Sequence, residues 1–212
     1  MHSISTRNFF KKKSAEPIQV YNDVLKAVLG DVVVEGCWII YGPEKNGKSW
    51  FALWLAKQLA GFTRVNYISA EEGLADSFKE AVLRAGITTA DDIVWNEYIT
   101  IDEIIEKFSK QRSAKIIIVD NLTMYSDELK PIELKKKLLE ALPNKLIIFV
   151  AHEERKQPYP AIARMAKKMS SVVIHIEGLK AFVTSRFSSG GEIVINEEKA
   201  DIYWGSAEME TN

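Results

Sequence analysis

Apolar residues along the chain fall into two kinds of pattern: short unbroken runs, and longer stretches in which they recur every three to four positions. The runs Cys37 to Tyr41 (CWIIY), Arg64 to Ala70 (RVNYISA), Lys115 to Val119 (KIIIV) and Leu146 to Ala151 (LIIFVA) predict strands buried on both faces. Ile93 to Trp95 adds a short strand. Helical spacing covers Ile18 to Leu29, where Gly30 is a stop, then Lys48 to Leu59, and Ala75 to Ala85, ending at Gly86. It returns from Asp102 to about Lys110, with Asp102 as the cap, and from Ile132 to Leu142, stopped by Pro143. Buried strands alternating with helices predict an α/β fold whose mainly parallel central sheet is flanked by helices. Beyond residue 171 the pattern changes to short alternating runs, Val172 to Ile176, Lys180 to Ser185, Ile193 to Ile195 and Asp201 to Trp204, which predict antiparallel hairpins extending the sheet. Residues 1–17 have no usable periodicity and are expected as a flexible arm, residues 18–204 as one domain and 205–212 as a tail.

Composition narrows the picture. A chain of 212 residues with 47% hydrophobic content buries one good core. No apolar run approaches the roughly 20 residues that cross a bilayer, and MHSISTRNFFKKK lacks the apolar stretch of a signal peptide, so a cytoplasmic protein without membrane contact is expected. Cys37 is the single cysteine, which excludes an internal disulfide and a paired-cysteine metal site. The net charge of -1 means that any nucleic-acid binding has to come from a local patch. Lys11, Lys12 and Lys13 are expected as solvated charge.

The chemistry begins at GPEKNGKSW, Gly42 to Trp50, which lies between a predicted strand and a predicted helix and fits G-x-x-x-x-G-K-[ST] at every fixed position. Glycines at Gly42 and Gly47 let the backbone amides of Pro43–Trp50 that carry hydrogen turn toward phosphate oxygens, with Glu44, Lys45 and Asn46 forming the loop. Lys48 is expected to reach the β- and γ-phosphates and Ser49 to ligate Mg²⁺. Asp120 closes KIIIVD, where a carboxylate at a strand tip suits a contact to Mg²⁺ through water. Glu71 and Glu72 follow VNYISA; Glu71 is expected to polarise the attacking water and Glu72 to sit at a helix start, with the converse assignment open. His152 ends LIIFVA and is expected to hydrogen-bond the γ-phosphate or the water. His175 is expected to be structural and His2 disordered.

Taken together, GPEKNGKS, YISAEEG, IIIVDN and IIFVAHEERK, in that order, resemble the RecA-like ATPase core, and most closely the RepA-type hexameric replicative helicases and related plasmid and phage ATPases. The resemblance spans roughly residues 30–204. It implies ATP and Mg²⁺ as cofactors, a homo-oligomeric ring or filament, and a motor or loader acting on single-stranded DNA in the replication of a mobile element. It also implies that Asn121 to Leu129 and Glu153 to Ser171 are mobile loops lining a channel. The second holds Arg155, Lys156, Arg164, Lys167 and Lys168 with Tyr159, ingredients for gripping a phosphate backbone, although Ile162, Met165, Ala166 and Met169 equally suit an amphipathic helix. In VTSRFSSGG, Arg186 matches the arginine of the Lys-x-Arg pair that such hexamers extend to a neighbour's γ-phosphate, while Thr184 replaces the lysine. A switch ATPase with a protein partner and a small-molecule kinase are the rival classes; for the kinase, Arg112, Arg155 and Arg164 are a thin supply for a lid.

Overall fold

The computed structural model describes residues 3–210, the side chains of 206–210 excepted, so His2 lies outside the described residues. One nine-stranded sheet carries the fold. Its strands are β1 (Gly36–Gly42), β2 (Val65–Ser69), β3 (Ile93–Asn96), β4 (Ile116–Asp120), β5 (Leu146–Glu154), β6 (Gln157–Tyr159), β7 (Val172–Glu177), β8 (Lys180–Ser185) and β9 (Gly191–Val194). Across the sheet they run β3, β2, β4, β5, β1, β7, β8, β9, with β6 paired to β5. The pairings from β3 to β7 are parallel, and β8, β9 and β6 are antiparallel additions. Because the parallel strands share one direction, Ser69, Asp120 and Gly42 end at a common rim.

Alternation along the strands divides the apolar side chains between two cores. Trp38, Ile40, Tyr67, Ile116 and Ile148 face α2 (Asp23–Leu29), α3 (Lys48–Ala60) and α4 (Asp76–Arg84), where Leu25, Phe51, Leu55 and Phe78 meet them. Ile39, Tyr41, Ile117, Val119 and Phe149 point the other way, toward α5 (Ile101–Phe108) and α6 (Ala161–Met169). Burying each large side chain of this kind contributes about 1.5–3 kcal/mol, and the central strands are buried on both faces, which is why they read as continuous apolar runs.

Several boundaries differ from the sequence expectation, each for a local reason. Residues 3–17 contain a short helix, α1 (Thr6–Phe10), and Pro17 bridges Val33. The next helix starts at Asp23 rather than Ile18, because Asn22 Oδ1 accepts from Leu25 N at 2.9 Å and caps it there. Thr100, not Asp102, caps α5, in a capping box with Glu103. The stretch Ile132 to Leu142 shrinks to a π-helical turn at Leu134–Leu139, and Ile132 is exposed. Asp201 to Trp204 is not a strand: it lies within α7 (Glu197–Glu210), which Asn196 caps through Lys199 N at 2.9 Å, with Glu197 and Glu198 in the first turn. Residues 205–210 continue that helix. No helix among the described residues is long and apolar enough to cross a membrane.

Candidate nucleotide-binding site

The loop between β1 and α3 is built for close approach. Gly42 ends β1 where an added Cβ would lie 2.0 Å from the Ile176 carbonyl oxygen, so only glycine fits. Lys45 and Gly47 take positive φ, 59° and 97°, and turn the chain back into α3. Gly47 is the N-cap, and no side chain accepts from the first turn of α3, which leaves the orphan amides at Lys48, Ser49 and Trp50 available to an anion at the positive end of the helix. Asn46 ties the loop down: its Oδ1 accepts from Gly178 N at 2.8 Å and its Nδ2 donates to Glu44 O at 2.9 Å. Glu44 and Lys45 are exposed, and Trp50 is half-buried with its ring parallel to that of Trp54 at 6.5 Å. Lys48 Nζ donates to Pro43 O at 2.6 Å inside the loop. Burial lowers the Lys48 pKa, opposed by the negative charges of Asp120, Glu44, Glu71 and Glu153.

Those carboxylates define the rest of the site. Asp120 ends β4, and its Oδ2 accepts from the Tyr67 hydroxyl at 2.6 Å; among the described residues Oδ1 has no partner. Burial pushes Asp120 up to about 6, the Tyr67 hydrogen bond opposes this, and Glu71 and Glu72 add to it. Glu71, just past β2, accepts from Asn121 Nδ2 at 2.9 Å through Oε2, and His152 Nε2 lies 3.3 Å from the same oxygen. Glu72 is exposed and has no hydrogen-bond partner among the described residues. Lys48, Glu71, Asp120 and His152 therefore meet on one rim, with Ser49 half-buried at the start of α3.

No group of three or more His, Cys, Asp or Glu among the described residues could hold a metal ion alone. A cation here would take ligands from phosphate oxygens and water as well as from Ser49 and Asp120, the arrangement that suits Mg²⁺, and the free Oδ1 of a carboxylate crowded by two others fits it.

His152 is not at a strand tip. β5 continues through it to Glu154 and folds back into β6, because Glu153 and Glu154 pair with Pro158 and Gln157. The segment from Glu153 to Ser171 is thus a hairpin followed by a helix rather than a mobile loop, and the amphipathic alternative is the one found: Ile162, Ala163 and Ala166 are buried. Arg155 and Lys156 form the exposed hairpin tip, both with positive φ, and Arg164 and Lys168 are exposed on α6. Lys167 differs: its Nζ donates to the Tyr41 hydroxyl at 2.7 Å and lies 4.4 Å from that ring, so it is not a free surface charge. Asn121 to Leu129 is likewise anchored, by buried Leu122, Tyr125 and Leu129, with the Tyr125 hydroxyl donating to Ile99 O at 3.0 Å. Arg186 lies at the opposite end of the sheet, where its amide donates to Ser171 O at 2.9 Å, and so does not reach the phosphate loop of its own chain.

Two further contributors escape a reading of motifs. His175 stacks on Tyr41 at 4.7 Å, and its Nε2 meets Glu153 Oε2 at 2.5 Å, joining the strand that carries the phosphate loop to the strand that carries His152. Asn121 is the other; the signal for it is the Asn-x-Thr turn directly after Asp120, in which Asn121 Oδ1 accepts from Thr123 N at 3.0 Å.

Comparison with solved structures places this architecture among RecA-like folds. The flagellar accessory protein FlaH from Methanocaldococcus jannaschii matches with a TM-score of 0.57 at 18% identity, over 85% of this chain and 92% of that one. No family model matches the sequence, and neither does any curated protein.

Proposed function

We propose that the chain is a Mg²⁺-dependent ATPase. The observation that carries this reading is the convergence of Lys48, Glu71, Asp120 and His152 on one rim beside an uncapped helix start. Phosphates dock on the orphan amides of α3, and Lys48 leaves Pro43 O for the β- and γ-phosphates. Ser49 and, through water, Asp120 would hold Mg²⁺, which would supply charge neutralisation at the terminal phosphates. Glu71 accepts a proton from the water through the carboxylate oxygen that Asn121 and His152 leave free, as the water oxygen bonds to the γ-phosphorus and the bridging P–O bond to ADP breaks; His152, beside that carboxylate, is the candidate hydrogen-bond partner of the γ-phosphate.

The chain acts as a homo-oligomer in which Arg186 of one copy completes the site of the next; its place far from its own phosphate loop is the support for action in trans. The oligomer works as a motor or loader on single-stranded DNA, for which the support is the resemblance to RepA-type helicases and the exposed cations Arg155, Lys156, Arg164 and Lys168. A switch ATPase with a protein partner is the second reading, favoured by the likeness to an accessory protein and by Lys167 being engaged internally.

Phosphate release from MgATP, with and without single-stranded DNA at low and moderate salt, tests both levels. Turnover that Lys48→Ala abolishes supports the ATPase. Stimulation by DNA supports the motor, and its absence across that salt range transfers the case to a protein partner. Absence of any phosphate release in every condition overturns the hydrolase.

A further inference from the structure

We propose that Asn121 is the positioning residue of the hydrolytic site: its side-chain amide orients the Glu71 carboxylate, and thereby selects Glu71 over Glu72 as the group that meets water. This rests on the ATPase reading above and adds a residue to it. Asn121 is 2% exposed, directly after Asp120 at the end of β4. Its Oδ1 accepts from both the backbone N and the hydroxyl of Thr123, each at 3.0 Å. Those two donors fix the amide's orientation, so Nδ2 has to face Glu71, where it donates to Oε2 at 2.9 Å. A buried amide locked at one end by its own turn is a rigid arm, and Glu71 is otherwise a half-exposed side chain with several rotamers to choose from.

His152 Nε2, at 3.3 Å, approaches the same Oε2. Two groups on one oxygen leave Oε1 without a partner among the described residues, and a carboxylate held this way presents the lone pairs of Oε1 to a water in a fixed orientation. Glu72, one residue on, has no equivalent support. Adjacent glutamates of identical intrinsic chemistry are thus separated by an amide contributed from a strand end fifty residues away in sequence.

The experiment uses the full chain and compares Asn121→Asp, Asn121→Ala and Glu71→Gln, singly and combined. Asn121→Asp retains the acceptor that Thr123 needs but exchanges the donor for a carboxylate beside Glu71, whereas Asn121→Ala removes donor and acceptor without adding charge, and thermal melting checks that each variant is folded. Both are expected to lower kcat by about 10- to 100-fold while KM and the affinity for a non-hydrolysable ATP analogue stay within about twofold. In the Glu71→Gln background neither is expected to lower turnover further. In the nucleotide-free protein, Glu71→Gln is expected to shift the Asn121 side-chain amide resonances. Unchanged kcat in both Asn121 variants, a loss confined to KM, or an additional loss on top of Glu71→Gln overturns the positioning role while leaving Glu71 as base. Full turnover in Glu71→Gln alone overturns the assignment of Glu71 and the positioning role with it.

Discussion

The Tyr67 hydroxyl donates to Asp120 Oδ2 at 2.6 Å, from the middle of β2 to the end of β4. The two residues belong to adjacent strands, so the sheet register sets the contact. Burial and the neighbouring carboxylate hold Tyr67 well above the usual phenol range, which keeps it a donor at every working pH.

Asp120 is pushed up to about 6 from an ordinary carboxylate value near 3.8, so the folded chain binds its proton more tightly than the unfolded chain. A raised folded pKa contributes stability that is fully present below the unfolded value and lost as pH rises through the folded one, here between about pH 4 and 6. Asp120→Asn retains an acceptor for Tyr67 and does not titrate. In metal-free buffer its melting temperature relative to the parent is expected to rise by on the order of 5–10 °C between pH 4 and 7. A difference that stays constant over that range contradicts the assignment.

Gly42→Ala places a methyl group 2.0 Å from the Ile176 carbonyl oxygen, which forces β1 and β7 apart at the mouth of the phosphate loop. The expected cost is about 3 kcal/mol, measured as a lower urea midpoint, accompanied by weakened nucleotide binding.

Asn46→Ala removes the acceptor for Gly178 N and frees the loop from the β7–β8 turn. Losing one such brace, worth about 1 kcal/mol, is expected to weaken ATP-analogue binding roughly fivefold with little change in melting temperature. Titration calorimetry gives the answer, and unaltered affinity means the brace does not shape the loop.

Arg186→Ala is expected to leave ATP-analogue affinity near that of the parent and to reduce turnover by about 10-fold or more. Mixing it with Lys48→Ala, which retains the arginine, is expected to restore part of the turnover, because some junctions then combine an intact loop with an intact finger. Parental turnover in Arg186→Ala removes the finger, and failure of the mixture to recover removes its action in trans.

The legible parts of the molecule are those where local and global signals coincide. Ile117, Ile118 and Val119 are buried on both faces, so their apolar run predicts a central strand, and the Gly42 to Ser49 spacing reports a loop whose backbone turns, at Lys45 and Gly47, lie within the motif itself. Residues whose role depends on a distant partner were not legible. Ile202, Tyr203 and Trp204 have strand-forming side chains, yet the cap at Asn196 and the acids after it start a helix through them. His152 looks terminal because Glu153 and Glu154 are polar, but hairpin pairing to β6 carries the strand onward. Asn121 and His175 take their meaning from Glu71 and Glu153, contacts that only the folded sheet makes.

The phosphate loop is held in place by the chain's last third: Gly178 is anchored by Asn46, Gly47 packs near Leu179 and Ile195, and β7 pairs alongside β1. A fragment cut before Val172 would carry every letter of the nucleotide signature and none of this scaffolding. Trimming this protein from its C-terminal side is therefore expected to cost it nucleotide binding even though the signature itself stays intact.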